Sequence, residues 1–371
     1  MTLTMSQRLG ALVVAAMTVA ACGGGAGASQ SAAPSGGAGS PSQASSGGPS
    51  ASGATTGGKL TVLCTPQESW CQAMTKAFQD EKGIETSYVR LSSGEALAKL
   101  RATKGSPEFS VWWGGPADGF VAANAEGLIE PYTSPEAAKI PAEQKDPSGV
   151  WTGVYVGALG FCSNKKVLTE LGVSAPDSWD DLLDPKLKGQ VAVAHPASSG
   201  TAYTAFYTQV LRLSGEDAAF DYMKKLHANI LQYTKSGSAP SQMAGRGEIA
   251  VDIVFSHDCV KDIDAGFADL QVGFPTDGTG YEIGGAALIK GAPEPDAAKQ
   301  WIDWSLTAKA QEIGPTVGSY QLPTNPAAVI SERSVKLADV KLVDYDFDAA
   351  GKARAGLTKR FEDEIAAQPK D

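Results

Sequence analysis

Three histidines in 371 residues, no run of lysines and arginines, and no apolar stretch of bilayer length exclude several classes of function. Phosphate backbones are bound by dense basic surfaces, whereas this chain carries 31 basic against 41 acidic residues. Nucleic acid is therefore not an expected partner, although a small anion held by local dipoles is compatible with such a surface. The Cys and His positions do not fall into the spacing of a zinc site, and no metal or cofactor is expected. A Gly-x-Ser-x-Gly element is missing, and Gly278-Thr279-Gly280 is too short for a phosphate-loop fingerprint and reads as a bend. Ser256-His257-Asp258 holds the residue types of a hydrolase triad, but a triad is a spatial relay that three consecutive strand residues cannot form. The reading is a chain that is not an enzyme, with a secreted hydrolase as the alternative from a different class.

What is present begins with an unusual N-terminus. Residues 1–58 hold no acidic residue and a single basic one, Arg8, followed by the apolar stretch from Leu9 to Ala21. That stretch has the length of a signal-peptide core, and Val19-Ala20-Ala21-Cys22 resembles the lipobox of bacterial lipoproteins. Residues 1–21 are read as a lipoprotein signal peptide and Cys22 as the lipidated anchor, an ordinary secretory signal being the alternative. Of the 36 residues 23–58, 32 are Gly, Ala, Ser or Pro, a composition unable to bury enough surface to offset ordering entropy. Residues 22–58 are thus expected to be a flexible tether with a reach of roughly 30–36 Å. The protein would be extracytoplasmic, touching the membrane only through its lipid.

Export places the remaining four cysteines where disulfides persist. Of three connectivities, Cys64 with Cys71, near in sequence, and Cys162 with Cys259, each beside an expected central strand, are favoured; free buried thiols are the alternative.

From Lys59 onward the chain alternates strand, turn and helix. Leu60–Leu63, Thr86–Leu91 and Phe109–Trp113 read as strands, with helices after the first two. The pattern returns with a long apolar run Trp151–Cys162, strands at Gln190–Ala194, Ile249–Phe255 and Ala286–Ile289, and a helix over Thr201–Leu213. With 43 % hydrophobic residues there is core for about two domains. The expectation is an α/β protein of two lobes with largely parallel sheets and functional loops at the strands' carboxyl ends. Lobe 1 is drawn at 59–157 with a return at 273–330, lobe 2 at 158–272, and 331–371 as C-terminal helices of uncertain lobe.

Three loops after predicted strands combine hydroxyls with glycine: Ser92-Ser93-Gly94, Ser198-Ser199-Gly200-Thr201 and Ser236-Gly237-Ser238. Helix starts of this kind offer unpaired N–H groups and hydroxyl donors to an anion, although Ser and Thr are also ordinary helix caps.

Five segments in order, Val111-Trp112-Trp113-Gly114-Gly115-Pro116-Ala117-Asp118, Pro176–Pro185 with Lys188-Gly189, Ser199–Tyr203, Gly247–Val251 running into Ser256-His257-Asp258, and Gly280–Gly285, give residues 59–371 a resemblance. The chain resembles the extracytoplasmic substrate-binding proteins of ABC importers, in the group of ferric-iron and hexose-phosphate binders. The resemblance implies a type II periplasmic-binding-protein fold with hinge strands between the lobes and a ligand cleft. It also implies delivery to a membrane permease driven by an ATPase on other chains. Iron-binding relatives carry a tandem tyrosine pair where this chain has His257-Asp258, and no Tyr-Tyr dipeptide occurs here. His257, Asp258 and Glu282, with Tyr281 beside it, instead resemble the hexose-phosphate branch, where such groups meet sugar hydroxyls. The expected ligand site comprises these four with Gln67, Glu68, Ser93, Trp113, Gly115, Ser199, Gly200, Thr201, Ser236, Gly237 and Ser238. The expected ligand is a small phosphorylated or polyhydroxylated anion, bound by a monomer; ferric iron, thiamine phosphates and organophosphonates are the alternatives.

Overall fold

A computed structural model describes residues 58–367. The signal peptide, the lipidated Cys22 and nearly all of the tether lie outside the described residues. Eleven strands follow in chain order: β1 (Lys59–Cys64), β2 (Glu85–Arg90), β3 (Val111–Pro116), β4 (Ile129–Glu130), β5 (Thr152–Asn164), β6 (Val191–Ala194), β7 (Ile230–Thr234), β8 (Val251–Phe255), β9 (Leu270–Gly273), β10 (Tyr281–Ile289) and β11 (Leu322–Pro323). Their spatial order is β2-β1-β3-β10-β5-β8-β6-β7, with β4 beside β10 and both β9 and β11 beside β5.

The sheet is mixed, and the expectation of a largely parallel one needs correcting. β1 runs parallel to β2 and β3, and β6 parallel to β7 and β8, as strand-helix-strand units require. The two longest strands, β5 and β10, run antiparallel to their neighbours. β5 is where the halves meet. Its residues up to Ala158 pair with β10, and from Leu159 onward it pairs with β8 and β9. All thirteen β5 residues are buried, so the strand offers no polar alternation and reads in sequence as one apolar run.

Helices cover each half. Helix Glu68–Lys82 packs Trp70, Met74 and Phe78 under the first half and stops at Gly83, whose φ of 69° is left-handed. Helices Gly200–Arg212 and Glu216–His227 cover the second half with Tyr203, Phe206, Phe220 and Leu226. The C-terminal helix Phe347–Glu364 buries Leu357 and Phe361 in that same core while Phe347 reaches the first. No helix among the described residues is long and apolar enough to cross a membrane.

Both favoured disulfides are present. Cys64 at the end of β1 joins Cys71, and Cys162 on β5 joins Cys259 on the helix Ser256–Asp264.

Candidate functional site

The carboxyl ends of β1, β2, β3, β7 and β8 converge on one cavity, where an α/β topology is expected to place its ligands. Thr65, Pro66 and Gln67 follow β1; Arg90, Ser92 and Ser93 end or follow β2; Gly115 and Pro116 close β3. The second half contributes Ser199, Gly200, Thr201, Gly237, Ser238, Phe255, His257 and Asp258. Tyr155 on β5, Glu282 on β10, and Gln321 complete the wall. The cavity volume is about 50 Å³, room for a few waters. A wider chamber of about 250 Å³ adjoins it, sharing Gln67, Arg90, Ser238 and Asp258.

The halves are drawn together across this space. Gln67 Nε2 donates to Asp258 Oδ1 at 2.5 Å, while Gln67 Oε1 accepts from Ser319 Oγ. Gly94 and Glu95 N–H groups both donate to the Ser198 carbonyl, at 2.9 and 3.2 Å. Two of the helix-start donors expected to face an anion are therefore occupied by the opposing half.

A cluster of ionisable groups lines the cavity. His257 and Asp258 belong to the first turn of a helix rather than to the end of β8, because Ser256 already opens that helix. His257 Nε2 lies 3.9 Å from both Asp258 Oδ2 and Glu282 Oε1. Its ring stacks on Phe255 at a centroid distance of 5.6 Å. A Cβ on Gly157 would stand 2.9 Å from His257 Nδ1, so glycine at this point of β5 is what lets the imidazole in.

Burial dominates the titration of all three. It pushes the His257 imidazole down to about 3, so the ring is neutral at pH 7. It raises the Asp258 carboxyl to about 6 against the opposing hydrogen bond from Gln67. Glu282 is held well above the carboxylate range by burial first and then by the charges of Asp258 and Asp118. A protonated carboxyl on Asp258 or Glu282 can donate as well as accept, an ionised one only accepts, and the neutral His257 imidazole offers one donor and one acceptor, a mixed set that suits hydroxyls. Ser93, Ser199, Thr201 and Ser238, with Gly115, Gly200 and Gly237, line the same cavity. Tyr155 hydroxyl accepts from Gly115 N–H at 2.8 Å and fixes that turn.

Eleven of the expected residues come together: Gln67, Ser93, Gly115, Ser199, Gly200, Thr201, Gly237, Ser238, His257, Asp258 and Glu282. Four do not line this cavity. Trp113 is buried in the core edge-on to Trp70 at 5.1 Å. Tyr281 packs its ring against Phe347 at 5.2 Å. Glu68 faces the adjoining chamber and accepts from Tyr88 hydroxyl at 2.5 Å, and Ser236 Oγ accepts from Arg90 Nη2 at 3.3 Å. Ser92, named in the first of the three loops, also lines the cavity, whereas sequence reasoning passed over Thr65, Pro66, Arg90, Pro116, Tyr155, Phe255 and Gln321. Arg90 carried a usable signal, a charge at the carboxyl end of a strand.

Residues 119–349 match the family described as bacterial extracellular solute-binding protein. The periplasmic binding protein AfuA from Actinobacillus pleuropneumoniae, solved with exogenous fructose-6-phosphate bound, superposes with a TM-score of 0.81 at 41 % identity, covering 84 % of this chain and 99 % of that one. An uncharacterized protein of Haemophilus influenzae is 40 % identical over 84 % of this chain and 92 % of its own length. The Fe(3+)-binding periplasmic protein of Serratia marcescens is 20 % identical over 80 % of this chain and 88 % of its own. With these relatives, a type II periplasmic-binding fold and a polar cavity between its two halves, the chain belongs to the bacterial extracellular solute-binding proteins that serve ABC importers.

Proposed function

We propose that the ligand is a hexose phosphate or a closely similar phosphorylated polyol, captured in this cavity and handed to an ABC permease. The observation that carries the reading is the meeting in one cavity of His257, Asp258 and Glu282 with glycine-spaced hydroxyls at the start of the helix Gly200–Arg212. The first set suits sugar hydroxyls and the second suits a phosphate, which helix N–H groups and Ser/Thr donors can hold. The fructose-6-phosphate bound to the 41 % identical relative supports the same class.

Gln67 bonds Asp258 and the Gly94 and Glu95 N–H groups bond the Ser198 carbonyl across the space between the halves, so capture in this reading has the halves part and close again. The lobes in this reading are residues 59–157 with 273–330, and 158–272, and the protein acts as a monomer. Cys22 is proposed to carry the lipid that holds it outside the cytoplasmic membrane after cleavage of residues 1–21.

A thermal-shift panel on the purified protein tests the ligand. A ligand at about 100 times its dissociation constant adds roughly 2.7 kcal/mol, a shift of a few degrees for a body this large. Fructose 6-phosphate or glucose 6-phosphate should raise the melting temperature, with orthophosphate, an organophosphonate, thiamine phosphate and ferric citrate as comparisons. A shift with ferric citrate alone refutes the ligand class.

A further inference from the structure

The C-terminal helix Phe347–Glu364 touches two helices that begin at the cavity. One is Ala117–Ala125, which continues from β3 directly after the lining residues Gly115 and Pro116. The other is Gly200–Arg212, whose first two residues line the cavity themselves. The two starts press on each other: a Cβ on Gly200 would stand 2.6 Å from Pro116 Cδ.

Two residues beyond Pro116 and two beyond Thr201, side chains from both helices reach the same guanidinium. Asp118 is wholly buried, and its Oδ2 accepts from Arg354 Nη1. Tyr203, equally buried, places its ring 4.3 Å from Arg354 Cζ and donates its hydroxyl to the Ala350 carbonyl at 2.6 Å. Arg354 is 4 % exposed. Such a tie is a weak source of stability, because desolvation offsets most of the attraction between buried charges. It also falls short of the two-pronged geometry that makes arginine–carboxylate pairs strong, since Asp118 Oδ1 and Arg354 Nη2 have no partner among the described residues. What the tie does fix is position: one planar cation holds one residue from each half, immediately behind the cavity wall.

We propose that Arg354 is a positioning residue for ligand capture, setting the spacing of Pro116 against Gly200 and Thr201 by holding Asp118 and Tyr203 on one guanidinium. It lines no part of the cavity and acts only through those two helices. The proposal rests on the cavity being the ligand site.

Arg354→Met would strand a buried carboxylate and lose stability for that reason alone, so the deciding variant removes both charges, Asp118→Asn with Arg354→Met. Its melting temperature should stay within a few degrees of the parent. Its dissociation constant for fructose 6-phosphate should rise at least tenfold, mainly through faster dissociation. Amide hydrogen exchange should accelerate at residues 117–121 and 201–205 in the ligand-free protein. Arg354→Lys, which keeps the charge and loses the plane, should recover part of the affinity. Affinity within threefold of the parent, or unchanged exchange at the two helix starts, overturns the proposal. Should the double variant fail to fold, Arg354→Lys is judged by the same two readouts. If the parent itself does not bind fructose 6-phosphate, the ligand reading falls separately, and exchange at the helix starts decides the role of Arg354 alone.

Discussion

Glu282→Gln should weaken ligand binding and strengthen the fold at the same time. The carboxyl is buried on β10, with His257 Nε2 at 3.9 Å. A hydrogen bond between a ligand hydroxyl and this carboxyl contributes about 0.5–1.5 kcal/mol, so its loss should raise the dissociation constant for a hexose phosphate about 2- to 12-fold. The stability effect has the opposite sign. Burial raises the folded-state value of Glu282 well above 4.5, so the native protein holds this proton longer than the unfolded chain does. Stability from that group is complete below pH 4.5 and is lost as pH rises through the folded value. Glutamine does not titrate, so the melting temperature of the ligand-free variant should exceed the parent's by an amount that grows from pH 4.5 upward. Titration calorimetry at pH 7.5 and melting curves from pH 4.5 to 8 read the two effects. Binding within twofold of the parent removes Glu282 from the site, and a pH-independent difference in melting refutes the electrostatic argument.

Asp258, raised to about 6, should impose a similar acid-side gain on ligand-free stability between about pH 4 and 6. Asp258→Asn should flatten that part of the melting profile, and an unaltered slope would refute the assignment. Asp252 is buried on β8 with neither carboxylate oxygen partnered among the described residues, and burial holds its value well above 3.8. Asp252→Val, at a position paired with Cys162 on β5 and Ala192 on β6, should therefore raise the melting temperature at pH 8, with a smaller gain at pH 4; a lower melting temperature at pH 8 would show a polar partner. For the disulfides, the sequence separations of 97 and 7 predict losses of about 4.7 and 2.4 kcal/mol on the chain-entropy account. Urea titrations of the Cys162→Ser/Cys259→Ser and Cys64→Ser/Cys71→Ser variants test the order, and equal losses would count against that account.

Much of the site was legible because short-range chemistry marks it. Ser199-Gly200-Thr201 opens a helix, His257-Asp258 follows an apolar strand, and the cysteine pairs lie beside strands, each visible within a few residues. Trp113 was not, because all six residues of β3 are buried: both faces of the strand are apolar, and alternation gives no hint of which tryptophan meets the core. Tyr155 is hidden in the same way within β5. The antiparallel course of β5 and β10 follows from pairing between distant segments and has no local signature. Gln321 and the Asp118–Arg354 tie depend on contacts across the whole chain, the last two lying 236 positions apart in sequence.

The two disulfides carry a consequence for how the protein matures. Cys64 and Cys71 bracket Thr65, Pro66 and Gln67, and Cys259 lies two residues after His257. Each bridge thus fastens a different wall of the cavity to a strand behind it. With both thiol pairs reduced, neither wall keeps its covalent anchor. Oxidation therefore sets the loops that face the cavity at the same time as it stabilises the fold.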